Sequence, residues 1–91
     1  MDVSFEQSQE ILSEFSIAFK YHSNGDLPKA EIIYKKILKK HPQHFETLRH
    51  LGILYQDRGL YEMAEKNFLK AYNINSNDPS VLNNLGTIKF L

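Results

Sequence analysis

Four histidines are the residues of this 91-residue chain best suited to chemistry near neutral pH, as metal ligands or as general acids and bases. His41 and His44 straddle Pro42, and His50 lies two helical turns beyond His44. No i, i+4 pair brings two imidazoles together on one helix, so a metal site would need further ligands such as Glu46, and no metal is expected. The absence of cysteine removes thiol catalysis, disulfides and zinc ribbons together. No nucleophile carries an adjacent base signature, and there is neither a glycine-rich phosphate loop nor an HExxH motif. Ser and Asn fall where turns and helix caps are expected. The chain therefore reads as a non-enzyme that needs no cofactor.

Charge is the next source of chemistry. Lys35-Lys36-Ile37-Leu38-Lys39-Lys40-His41 is the strongest local cluster, with Lys35/Lys39 and Lys36/Lys40 on a helical surface near a C-terminus, where the helix dipole favours cations. Without interleaved aromatics it reads as a solvated helix end, with an acidic partner or nucleic acid as the alternative. Asp2, Glu6, Glu10 and Glu14 recur every four residues, and Ser4 with Gln7 can form a capping box, so a helix is expected to start upstream with a solvated acidic face. Eleven Lys plus Arg balance eleven Asp plus Glu, which gives no global attraction to nucleic acid or an anionic membrane. The acidic start is unlike a secretory or transit peptide, and no apolar run approaches the roughly 18 residues of a membrane helix. A soluble, cytoplasmic protein is expected, with neither nucleic acid nor membrane as partner.

The elements that hold these residues follow from an internal repeat. Shifted by 34 residues, Tyr21 meets Tyr55, Gly25 meets Gly59, Ala30 meets Ala64, Glu31 meets Glu65, Leu48 meets Leu82, Leu51 meets Leu85 and Gly52 meets Gly86. The chain divides into a lead of residues 1–10, units at 11–44 and 45–78, and an incomplete third unit at 79–91. Each unit reads as a helical hairpin. In the second, Leu48, Leu51 and Tyr55 mark one helix, Gly59 ends it in a position suited to left-handed backbone, and Met63, Ala64, Phe68 and Ala71 mark the buried face of the next. In the first, Ile17, Ala18 and Tyr21 form the packing stripe, Asn24-Gly25-Asp26 is the turn, Asp26 is the N-cap, and Pro28 is tolerated in the first turn. Asp78 and Pro79 begin the last helix in the same way. Ala18, Gly52 and Gly86, with Ala30 and Ala64, should allow close approach of backbones.

This pattern resembles the tetratricopeptide repeat. The second unit carries it as Leu51-Gly52-Tyr55-Gly59-Tyr61-Ala64-Phe68-Ala71, the first as Ile17-Ala18-Tyr21-Gly25-Leu27-Ala30-Tyr34 with Pro42, and the third as Leu82-Leu85-Gly86. Glu14 departs from it, standing where the other units have Leu48 and Leu82, as do Ile37, Ser76 and Lys89. The resemblance implies an all-α, right-handed solenoid of antiparallel helix-turn-helix hairpins, about two and a half units long. It also implies a protein- or peptide-binding scaffold whose concave groove is lined by the first helix of each unit.

By the same resemblance the groove positions are Leu12, Phe15, Phe19, His22 and Ser23, then Glu46, Arg49, Ile53, Gln56 and Asp57, then Ser80, Asn83 and Thr87. Independently of it, Leu12, Phe15 and Phe19 make a second apolar stripe on the first helix. That stripe is either a docking site for a partner's apolar side chain or is covered by an extended N-terminal helix or a second copy. Some tetratricopeptide domains clamp a terminal carboxylate with Lys and Asn, but Phe15 and Phe19 occupy those positions here. Others hold a peptide on an asparagine ladder, and the equivalent column here reads Ser16, His50, Asn84. In the third unit Leu82 and Leu85 are expected to cover the second hairpin, leaving Val81, Ile88, Phe90 and Leu91 facing outward. That face suggests self-association through the C-terminal helix, or a longer protein with more repeats or a catalytic domain beyond residue 91. The repeats resemble in style those that bacteria place before glycosyl-, methyl- or sulfotransferase domains, and that resemblance implies, as an alternative, a recruitment arm for such a domain.

Overall fold

Two turns of identical design set the architecture. Gly25 and Gly59 both adopt left-handed backbone, with φ of 85° and 76°, which costs glycine little and other residues more. At each turn the helix closes with a Schellman pair of hydrogen bonds: Gly25 N to His22 O and Asp26 N to Tyr21 O, then Gly59 N to Gln56 O and Leu60 N to Tyr55 O. The computed structural model describes residues 4–89, all-α among those residues. Asp2 of the acidic stripe and Phe90 and Leu91 of the terminal face lie outside the described residues.

The helices are α1 (Phe5–Ser23), α2 (Leu27–Lys40), α3 (Phe45–Asp57), α4 (Tyr61–Ile74) and α5 (Pro79–Lys89). Their starts keep the repeat register, since Leu27 and Tyr61, and likewise Phe45 and Pro79, stand 34 residues apart. Ser4 and Gln7 close the expected capping box on α1. Asp26 accepts from Lys29 N to cap α2, and Asp78 accepts from Val81 N to cap α5. α1 packs on α2 and α3 on α4 as hairpins, while α2 meets α3 and α4 meets α5, so the elements stack in chain order.

One apolar core runs through the stack, from Ala18, Ala30 and Tyr34 through Leu48, Leu51, Leu54 and Tyr55 to Ala64, Phe68, Ala71 and Val81. Tyr34 and Phe68 are fully buried, each worth roughly 1.5–3 kcal/mol of apolar burial. Burial pushes the Tyr34 hydroxyl up to about 12, keeping it a neutral donor. The small residues act where facing side chains are large. A Cβ built on Gly52 would stand 2.6 Å from the Phe68 ring, so that ring lies directly on the α3 backbone.

Several expected faces differ. Ile17 is half exposed and Met63 is exposed, whereas Ile11, one turn and a half before Ile17, is buried. Val81 and Leu82 exchange roles: Val81 is fully buried and Leu82 is 48% exposed. The register gives the reason. Val81 is the image of Thr47, buried like it, and Leu82 is the image of Leu48, on the face that a hairpin's own second helix covers. Gly86 has no atom within 4 Å of an added Cβ, so it makes no close approach of the kind made at Gly52.

The two charge clusters are not solvated separately. Lys40 reaches Glu10 at 3.0 Å and Lys36 reaches Glu14 at 3.9 Å, forming an antiparallel ladder between α1 and α2. Glu14, which stands where other units carry leucine, thus has an ion-pair partner on α2. Lys40 holds the exposed Glu10 carboxyl below its ordinary range by hydrogen bond and charge. Both groups are exposed, so the pair orients the hairpin more than it stabilises it.

Candidate functional site

The first helices α1 and α3 meet through side chains along one side of the stack. Phe15 stacks nearly parallel to Phe19 with ring centroids 6.4 Å apart, and His50 of α3 sets its edge to both, at 4.9 Å from Phe15 and 5.5 Å from Phe19. Phe15 also touches Tyr34, which ties this cluster to the core. Less than one turn beyond Phe19 lies a polar bridge: His22 Nε2 stands 2.8 Å from Asp57 Oδ2, and the Tyr34 hydroxyl lies 3.5 Å from His22 Nδ1. With Nε2–H donating to Asp57, Nδ1 is free to accept from Tyr34.

Exposure grades this surface. Leu12 is 58% and Phe19 48% exposed, while Phe15 is half-buried against the core. Leu12 and Phe19, seven residues apart, occupy one stripe of α1 and are its accessible apolar groups beside the cluster. Arg49 donates through Nη2 to Glu46 at 2.8 Å and stands 3.1 Å from His50 Nε2, while its buried Nε has no partner. His50 is held neutral, its pKa lowered to about 4 first by burial and then by the Arg49 charge. Its role is that of an aromatic wall rather than a rung in a ladder of amides.

The remaining expected site residues are distributed. Ile53 is half-buried against the core and Gln56 is half-buried on α3. Asn83 and Thr87 are exposed on α5, where the Thr87 hydroxyl donates to the Asn83 carbonyl at 2.9 Å. The aromatic cluster thus gathers residues of α1 and α3, backed by Tyr34 of α2, and none of α5. Among the described residues, no three His, Asp or Glu side chains converge as a metal site. His44 instead caps α3, its Nδ1 accepting from Thr47 N at 3.3 Å and lying 2.7 Å from Thr47 Oγ1.

A second group, Glu31, has a role that residue types alone did not reveal. From α2 it accepts from the Tyr55 hydroxyl at 3.0 Å and from Arg58 at 2.7 Å, both beyond the first hairpin, and from Lys35 at 3.0 Å. Burial pushes its carboxyl up, but Lys35, Tyr55 and Arg58 together hold it below the ordinary value. The available signal was the spacing: a glutamate on a second helix lies 24 residues before a tyrosine on the next first helix. The pair His22–Asp57, separated by one repeat and one residue, was legible in the same way.

These features define a class: a helical repeat of tetratricopeptide type, with hairpins stacked at a 34-residue period. No family model matches the chain. Among curated proteins it is similar to the photosystem I assembly protein Ycf3 of Synechococcus sp. (strain CC9605), at 31% identity over 85 residues, covering 90% of this chain and 49% of that protein. It is similar to Ycf3 of Prochlorococcus marinus (strain MIT 9303) at 36% identity over 67 residues, 70% of this chain and 39% of that one. A shorter likeness, 48% over 40 residues, covers 44% of this chain and 8% of the BBSome complex member BBS4 of Bos taurus. The chain spans half or less of the length of these relatives. No helix among the described residues is long and apolar enough to cross a membrane.

Proposed function

We propose that this chain is a protein-interaction scaffold that takes a segment of a partner protein on the side formed by its first helices. The observation that carries this reading is the aromatic cluster of Phe15, Phe19 and His50, which has a packed back and an open front bearing Leu12 and Phe19. Such a surface offers a partner's apolar side chain a rigid wall at low entropic cost. Glu46, Arg49, Gln56, Asn83 and Thr87 would supply polar contacts around it, with Ile53 beneath. The likeness to proteins named for photosystem I assembly and for membership of the BBSome supports assembly rather than catalysis as the kind of work done. The recruitment-arm alternative, with a transferase domain beyond residue 91, gains no support from these names.

The test separates binding from folding. Phe15 is tied to the core, so its truncation would weaken the fold as well as the surface. Leu12→Ala with Phe19→Ala leaves Phe15 in the core and acts mainly at the surface, although Phe19 also gives up its stacking on Phe15 and His50. A tagged chain is expected to co-purify a partner from its native host and the double variant to lose it about tenfold or more, while it keeps its helicity and a cooperative thermal transition. Equal recovery by the two proteins contradicts the assignment of the surface.

A further inference from the structure

The first two hairpins share an apolar core, but the polar links between them gather at one end. Among the described residues, every side-chain hydrogen bond or ion pair that crosses from the first hairpin to the second ends on Tyr55, Asp57 or Arg58, beside the turns at Gly25 and Gly59. His22 of α1 meets Asp57 at a single point. Glu31 of α2 makes a two-point attachment instead. Its Oε2 accepts from the Tyr55 hydroxyl at 3.0 Å and its Oε1 from Arg58 Nη1 at 2.7 Å, while Lys35, one turn on, steadies the carboxylate from its own helix at 3.0 Å. The Glu31 side chain is only 15% exposed, so solvent and salt screen these bonds less than they screen the ladder between α1 and α2.

The aromatic wall needs such a constraint. His50 faces Phe15 and Phe19 through ring contacts alone, at 4.9 and 5.5 Å, and contacts of this kind hold only to about 7 Å. Apolar burial favours approach of the hairpins without fixing the angle between them. Tyr55 follows His50 by five residues, which places it about 140° further around α3, so Glu31 grips α3 from behind the wall. We propose that Glu31 is a positioning residue for the surface on α1 and α3: by holding Tyr55 and Arg58 together it fixes the rotation and slide of the second hairpin on the first, and so keeps His50 against Phe15 and Phe19. Taken with the reading of that surface as a partner site, on which this step rests, Glu31 governs recognition from a place the partner does not occupy.

The test needs no partner. Carbon–proton correlation spectra of the histidine rings are recorded on the intact chain at neutral pH, with the His50 signal identified by its loss in His50→Asn. In the unaltered chain that signal is expected to be displaced from the position of a free histidine by the Phe15 and Phe19 rings. Glu31→Gln keeps the size of the side chain but removes its charge and sets an amide donor against Arg58. It is expected to lose most of the displacement while retaining helicity and a cooperative thermal transition. Arg58→Gln cuts one of the two attachments at a more exposed residue and should move the signal in the same direction by less. Glu10→Gln, which cuts an ion pair inside the first hairpin, should leave it in place. If Glu31→Gln melts without a cooperative transition, Arg58→Gln decides alone. An undisplaced signal in the unaltered chain overturns the proposal, as does a signal that Arg58→Gln and a folded Glu31→Gln leave unmoved, or one that Glu10→Gln moves as far. Partner capture through Leu12 and Phe19 is measured separately, so failure here is distinct from failure of the proposed function.

Discussion

His50 illustrates how position decides what a titratable residue does. Enclosed by Phe15, Phe19 and Tyr34 and beside the Arg49 guanidinium, its pKa is lowered to about 4 from 6.5. Between those values the unfolded chain binds a proton that the folded chain refuses, so stability falls as pH drops from about 6.5 towards 4 and is unaffected by this group above. Urea unfolding at a series of pH values is expected to show a loss of roughly 1–3 kcal/mol over that window, with His50→Asn reducing the slope. Burial lowers His44 in the same direction, and it remains in both proteins. An unchanged slope in the variant contradicts the enclosed placement. Sequence spacing gave no hint of this cluster. Phe15 and Phe19 were visible as a stripe, but His50 is 31 residues beyond Phe19 and joins them only because α3 stacks beside α1.

At the level of elements, capping chemistry and register were legible, and the direction of individual faces was less so. Gly25 and Gly59 supply the left-handed turns, and Asp26, Asp78 and the Ser4–Gln7 box start helices where their residue types require it. Val81 and Leu82 were misread because adjacent apolar residues on a short helix satisfy either rotation, and only the tertiary partner chooses. The same substitution at two repeat-equivalent glycines exposes this dependence. Gly52→Ala forces a Cβ against the Phe68 ring, at a cost of about 1–3 kcal/mol. Gly86→Ala meets open space and is expected to stabilise α5 by about 0.5–1 kcal/mol through helix propensity. Thermal melts of the two variants should move in opposite directions, and shifts of the same sign would show that the hairpins are not packed as described.

For the whole molecule, zero net charge conceals an ordered arrangement. Acidic α1 and lysine-rich α2 neutralise each other across the first hairpin through Glu10–Lys40 and Glu14–Lys36, while Glu31 joins that hairpin to Tyr55 and Arg58. Periodicity made the stack legible, whereas these cross-links depend on distances between neighbouring helices that the period alone does not fix. The side left open after this pairing bears Leu12 and Phe19 beside the Phe15–His50 wall, and recognition of a partner there is the central claim. Its most direct test is photo-crosslinking in the native host, with a photoreactive amino acid placed at Phe19 in one protein and at exposed Ile32 of α2 in another. The account predicts a discrete protein adduct from position 19 that disappears when Leu12→Glu is added, with no such adduct from position 32. No adduct from position 19, or the same adduct from both positions, would contradict it.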